Sequence, residues 1–143
     1  MTMSTGAQDA TATVAATAAA LVDAFGRHDK AAYFAFFAPE ASFIFYPTDV
    51  IVRSRQEYET LWDSWEADGF QVLSCESIDA DVHLVTADVA VFTHRVRTRV
   101  RFGGEPETLG ERESILFSRS EAGPWLAVHE HLSNDPSWNQ ETP

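Results

Sequence analysis

Three histidines, an arginine and a serine are spaced so that a β-sheet would gather them. His129 and His131 lie two apart in the stretch Trp125–Ser133, and a strand places such residues on one face. If the chain turns about Gly104, Arg101 falls opposite Glu107, Arg97 opposite Glu111 and Arg95 opposite Glu113. Three opposite-charge pairs support that register. A second turn between Glu121 and Ala122 then sets Arg112 opposite His131 and Ser114 opposite His129. His94, Arg112, Ser114, His129 and His131 would then interrupt an apolar row of Phe92, Val96, Leu116, Trp125 and Ala127. That row is the one the helices are expected to cover, and polar groups there must bond to one another, to water or to a ligand. An imidazole such as His131 exchanges protons near neutrality. A guanidinium such as Arg112 holds a carboxylate or developing negative charge. The same groups could instead satisfy one another as part of the core.

Other chemistries fit less well. An H-x-H pair with a third imidazole can hold zinc, but a whole strand separates His94 from the pair, Arg112 lies between, and no carboxylate falls in those rows. No metal is expected. Ser114 beside His129 lacks an acid to orient the imidazole, which argues against hydrolase chemistry. Cys75 has no basic neighbour in sequence to activate it. A Gly-rich phosphate loop and paired Cys motifs are lacking, and no cofactor is expected.

The elements that must position these groups are legible. Val14, Ala18, Leu21, Val22 and Phe25 share a helical face over roughly 9–27. Asp29 can cap a short helix carrying Tyr33, Phe36 and Phe37, which Pro39 stops. Residues 41–46 read as a strand. Ser54 and Glu57 have capping-box spacing ahead of a third helix with Tyr58, Leu61, Trp62 and Trp65 on one face. Those rings are core by spacing, and Trp62 can also roof a pocket. Strands are expected over about 70–78, 89–102, 108–119 and 124–133, with a minor extended piece near 82–85. The result is an α+β domain over 9–133, with a disordered tail over 1–8 and a C-terminal tail over 134–143. On the face of the Arg/Glu pairs, Val91, Ile115, Phe117, Leu126 and Val128 form an apolar patch for which a second copy of the chain is a natural cover, so a homodimer is expected.

Composition narrows the classes of function. At 143 residues the chain is one domain, and 45% hydrophobic with 22% charged residues marks it as folded. A net charge of −12 opposes nucleic acid and anionic lipid as partners. No apolar run is long enough for a membrane span. The single cysteine and the acidic, Ala-rich start suggest a cytoplasmic protein without a secretory signal.

The order of elements, together with the ending Trp125-Leu-Ala-Val-His129-Glu-His131-Leu-Ser133, resembles the nuclear transport factor 2-like superfamily. Within it, the ending is similar to that of a branch holding SnoaL-like domains and the association domain of calcium/calmodulin-dependent kinase II. The resemblance implies a cone-shaped fold with three N-terminal helices on a curved antiparallel sheet, a pocket on the concave side and a dimer on the other. It also implies that Arg112 and His131 face the pocket. Ketosteroid isomerase carries its base just before a Pro, where this chain has Tyr46. A phenol is a poor base for that task, so steroid isomerisation is disfavoured.

Two functions follow as expectations. One is a homodimer with a pocket for a small polar or carboxylate-bearing molecule, as a ligand site or a cofactor-free isomerase, cyclase or lyase. His131 would carry the proton, Arg112 would stabilise charge, and Tyr46, Trp62, His94, Ser114 and His129 would hold the substrate. The other is a non-catalytic association module in which the same residues only brace the sheet.

Overall fold

The computed structural model describes residues 5–121 and 123–141. Helix α1 (Thr5–Gly26) buries Val14, Ala18, Leu21 and Val22 along the expected stripe. It already includes residues 5–8 of the segment expected to be a tail. Asp29 caps α2 (Lys30–Phe34) by accepting a hydrogen bond from the Ala32 amide at 3.1 Å. Strand β1 (Phe37–Phe45) follows at once and absorbs Pro39 at a bulge. Ser54 caps the next helix, α3 (Arg55–Ala67), as its spacing predicts, Ser54 Oγ accepting from the Glu57 amide at 3.1 Å, while Glu57 Oε2 reaches one residue past the cap and accepts from the Arg53 amide at 2.6 Å.

Strands β2 (Phe70–Thr86), β3 (Val89–Phe102), β4 (Glu107–Ser118) and β5 (Leu126–Asn134) form antiparallel neighbours. The minor piece expected near 82–85 is the end of β2. The sheet order is β1-β5-β4-β3-β2, and β1 runs parallel to β5, so the sheet is mixed. Helix α1 lies on β2 and β3, and α3 on β1 and β2, which closes one face of the sheet over an aromatic core. A short helix, α4 (Pro136–Glu141), occupies the segment expected to be a tail. No helix among the described residues is long and apolar enough to cross a membrane.

The β3–β4 register differs from the expected one by a single residue, and that between β4 and β5 by two, with Arg112 opposite Ser133 and Ser114 opposite His131. Arg95 pairs with Arg112, Val96 with Glu111 and His94 with Glu113, so the expected Arg/Glu pairs do not form. A one-residue slip turns every side chain of β4 to the other face. Ile115 and Phe117, expected on the outer patch, are fully buried under the helices. In β5 a bulge at Val128, between the pairs Phe117–Ala127 and Leu116–His129, reverses the faces beyond it. Trp125 and Ala127 point inward as expected, whereas His129 and His131 point outward.

Candidate functional site

Between the helices and the covered face of the sheet lies a cavity of about 240 Å³. Its wall is mostly aromatic and aliphatic: Phe25 of α1, Trp65 of α3, Phe45 of β1, and Phe70 and Val100 of the sheet. The β4 flip brings acids into this apolar setting. Glu111 and Glu113 take alternate places in the inward row that continues as Ile115 and Phe117, and Glu130 comes in from β5 beyond the bulge. Tyr33 from α2 and Tyr58 from α3 reach the same cavity.

These groups form one hydrogen-bonded chain. Ser77 Oγ lies 2.6 Å from His94 Nδ1, and His94 Nε2 lies 2.8 Å from Glu113 Oε1. The Glu113 and Glu130 carboxyls bond to each other. The Tyr33 hydroxyl donates to Glu130 Oε1 at 3.4 Å and lies 2.9 Å from the Tyr58 hydroxyl. Burial holds His94 neutral by pushing its pKa down to about 4, against an upward pull from Glu130. Burial also raises both carboxyls of the pair, Glu130 well above the usual carboxylate range with the Glu113 charge adding to it. Two like charges in contact cannot both persist in so dry a place, so the pair shares a proton. Glu130 is the partner that keeps it.

One proton arrangement satisfies every member of the chain. Ser77 donates to His94 Nδ1, His94 Nε2–H and the Glu130 carboxylic acid donate to the Glu113 carboxylate, Tyr33 donates to Glu130, and Tyr58 donates to Tyr33. A base and an acid therefore sit side by side on the cavity wall, with two phenols behind them. Burial, the first cause, and the nearby carboxylates lift both phenols well above their ordinary value, so they act as donors and not as bases. Nearer the rim, the Tyr46 hydroxyl donates to Glu111 Oε2 at 2.8 Å. Burial raises Glu111 as well.

The residues singled out in the sequence are divided between the two faces. His94 lies inside, its side chain fully buried, and acts through Glu113. Tyr46 reaches the rim through Glu111. Trp62 is wholly buried among Phe25, Phe34 and Phe70 and does not line the cavity. Arg112, Ser114, His129 and His131 lie on the outer face, opposite the cavity; their expected place on the covered face is corrected by the slip in β4 and the bulge in β5. There Arg112, Ser114 and His131 border an open depression with Arg95 and Ser133. His129 Nδ1 lies 2.8 Å from Ser42 Oγ of β1.

Glu111, Glu113, Glu130, Tyr33 and Tyr58 were not singled out as site residues. The alternation Glu111-x-Glu113-x-Ile115-x-Phe117 is the signal that could have found the first two, since it ties both acids to a core row. Among the described residues no three His, Cys, Asp or Glu side chains come together as metal ligands. Burial pushes the Cys75 thiol, at the cavity wall, up to about 12, so it carries no thiolate near neutrality.

The profile of the SnoaL-like domain family matches residues 14–136, nearly the whole chain. The chain belongs to the SnoaL-like domain family. No curated protein matches it in sequence. Solved structures share the fold of this SnoaL-like chain at low identity. A ketosteroid isomerase-like protein of Erwinia carotovora atroseptica is 20% identical, with a TM-score of 0.74 over 87% of this chain and 95% of its own. A candidate scytalone dehydratase of Novosphingobium aromaticivorans is 12% identical, with a TM-score of 0.78 over 93% and 89%. The hub of calcium/calmodulin-dependent kinase II from S. rosetta is 19% identical, with a TM-score of 0.70 over 87% and 96%. At these identities the likeness is one of fold, and that fold serves both enzyme-like and hub proteins.

Proposed function

We propose that this SnoaL-like domain binds a small, largely apolar organic molecule in its cavity and moves a proton on it without a cofactor, as an isomerase, cyclase or lyase does. The observation that carries this reading is the buried, hydrogen-bonded carboxyl pair Glu113–Glu130 on the wall of an apolar cavity, backed by two tyrosine donors. Glu113, ionised and half of a shared-proton pair, would take a proton from carbon. Glu130 would return one to oxygen or carbon, and Tyr33 and Tyr58 would hold the pair in register. The proton role expected of His131 passes on this reading to the acid pair, and His94 becomes its anchor.

A simple ketone tests it. Bound 2-tetralone in D₂O should exchange the hydrogens next to its carbonyl faster than in buffer, followed by proton NMR. Glu113→Gln should lower the enzyme-dependent rate by about a hundredfold or more, the usual scale for a general base. Equal rates in the two proteins would dismiss the proton-transfer reading.

A second reading, an association module, is favoured by the hub-like fold and by the outer sheet face. On that face Ile44, Val91 and Leu116 are only half-buried by the chain's own elements. A homodimer through this face is compatible with either reading.

A further inference from the structure

The charge of the cavity says which class of molecule it takes. Among the described residues, the ionisable groups on its wall are three glutamates, two tyrosines and a cysteine, with no Arg, Lys or His. The arginines of β3 and β4 and the outward histidines are separated from it by the sheet. A carboxylate inside would meet Glu111, Glu113 and Glu130 with no cation to offset them. An ammonium group would meet the Glu113 carboxylate directly, in a site too dry for water to screen the attraction. Its body would meet aromatic faces, which also attract cations.

From this lining we infer that the cavity selects a cationic amine carried on an apolar ring system, over the uncharged analogue, and rejects the corresponding carboxylate. Selection for an amine replaces the carboxylate expected from the sequence, which required Arg112 inside, and it rests on the pocket reading above but not on turnover. With an ammonium at the pair, both carboxylates can be ionised, so binding should expel the proton that Glu130 holds in the empty protein. The groups facing Glu130 are Tyr33 from α2, Tyr58 from α3, Cys75 from β2, His94 from β3, and Glu111 and Glu113 from β4. The phenols and the thiol stay protonated and the imidazole stays neutral near pH 7. Glu130 is thus the group in this cluster that would release the proton.

Three probes with one ring body separate the outcomes: 2-aminotetralin, 2-tetralol and the 2-carboxylate of the same ring. Isothermal calorimetry near neutral pH, in two buffers of different protonation enthalpy, reads affinity and proton release together. The expected order is amine, alcohol, carboxylate, with about tenfold or more between neighbours, each tenfold being about 1.4 kcal/mol. The amine alone should release a proton. Glu130→Gln keeps the shape, and it should abolish the release and narrow the gap between amine and alcohol. Should that variant be unfolded by circular dichroism, Glu111→Gln at the rim should narrow the same gap in a folded protein. If the alcohol binds as tightly as the amine, or the carboxylate binds best, the charge inference is overturned and the pocket reading stands. If none of the three binds, the pocket reading falls and takes the inference with it.

Discussion

His94 is the residue at which the sequence reading and the structure meet most closely. Its type suggested proton chemistry, and its burial turns it into a neutral link between Ser77 and Glu113. That state leaves a mark on stability. The folded protein keeps His94 unprotonated down to about pH 4, while the unfolded chain takes up a proton near 6.5. Between those values the unfolded state binds more protons, so stability falls as pH drops through that window. A shift from 6.5 to about 4 corresponds to roughly 3 kcal/mol at the acid end. Glu130 acts with the opposite sign. Its folded pKa is raised, so the folded state holds the extra proton and stability falls as pH rises from the unfolded carboxyl value, about 4.3, to the folded one. From about pH 4.5 to 6.5 the two groups therefore oppose each other, and urea titrations of the wild type should show little net slope from them. His94→Gln should leave stability falling as pH rises through this window, and Glu130→Gln should leave it rising. An unchanged pH dependence in His94→Gln would mean that the imidazole is not held neutral.

At the level of elements, most of the chain was legible because its signals are local. The apolar stripe of α1, the Asp29 cap and the Ser54 cap each act over four residues or a repeat of them, and all form as read. The face of β4 is not a local property. It depends on how the turn after Phe102 closes, and Arg/Glu pairing in the sequence favoured a register that the inward packing of Ile115 and Phe117 overrides. The bulge at Val128 has no sequence signature at all, since valine suits either a regular or a bulged strand. Tyr46, His94 and, through its alternation with Ile115 and Phe117, Glu113 were within reach of a sequence argument; Glu130 was not, because its inward position depends on the bulge. The junction between α3 and the sheet shows what such a fold-level constraint costs. Gly69 has φ +95°, and a Cβ there would lie 2.7 Å from Gly103 Cα, across a hydrogen bond from the Gly103 amide to the Gly69 carbonyl at 3.0 Å. Gly69→Ala should cost about 1–3 kcal/mol by urea unfolding. No loss would mean that the α3–β2 turn can relax away from β3.

On the scale of the whole molecule, the two faces of the sheet divide the work. The covered face holds the cavity and the acid pair, and the outer face is left with Arg112, His129, His131 and the half-buried Ile44, Val91 and Leu116. Helix α4 takes one end of that outer face. Asp135, held near pH 2 chiefly by its hydrogen bond from Arg95, accepts from Arg95 Nε at 2.7 Å and from the Ser137 amide at 3.1 Å. Trp138 then lies over Gly110, which has no side chain to obstruct it, and under the Arg97 guanidinium at 3.6 Å. The far end, around Leu116 and Ile44, is where a second copy would add cover. If it does, Leu116→Asp puts a charge in the middle of the contact and should shift the protein from dimer to monomer by light scattering at micromolar concentration. Binding of 2-aminotetralin should stay within about twofold, because the sheet lies between Leu116 and the cavity and distant sites act nearly independently. A wild-type protein that is monomeric throughout this range would remove the dimer. Loss of amine binding in a folded Leu116→Asp would show instead that assembly shapes the cavity, and that the two proposed roles of the domain are one.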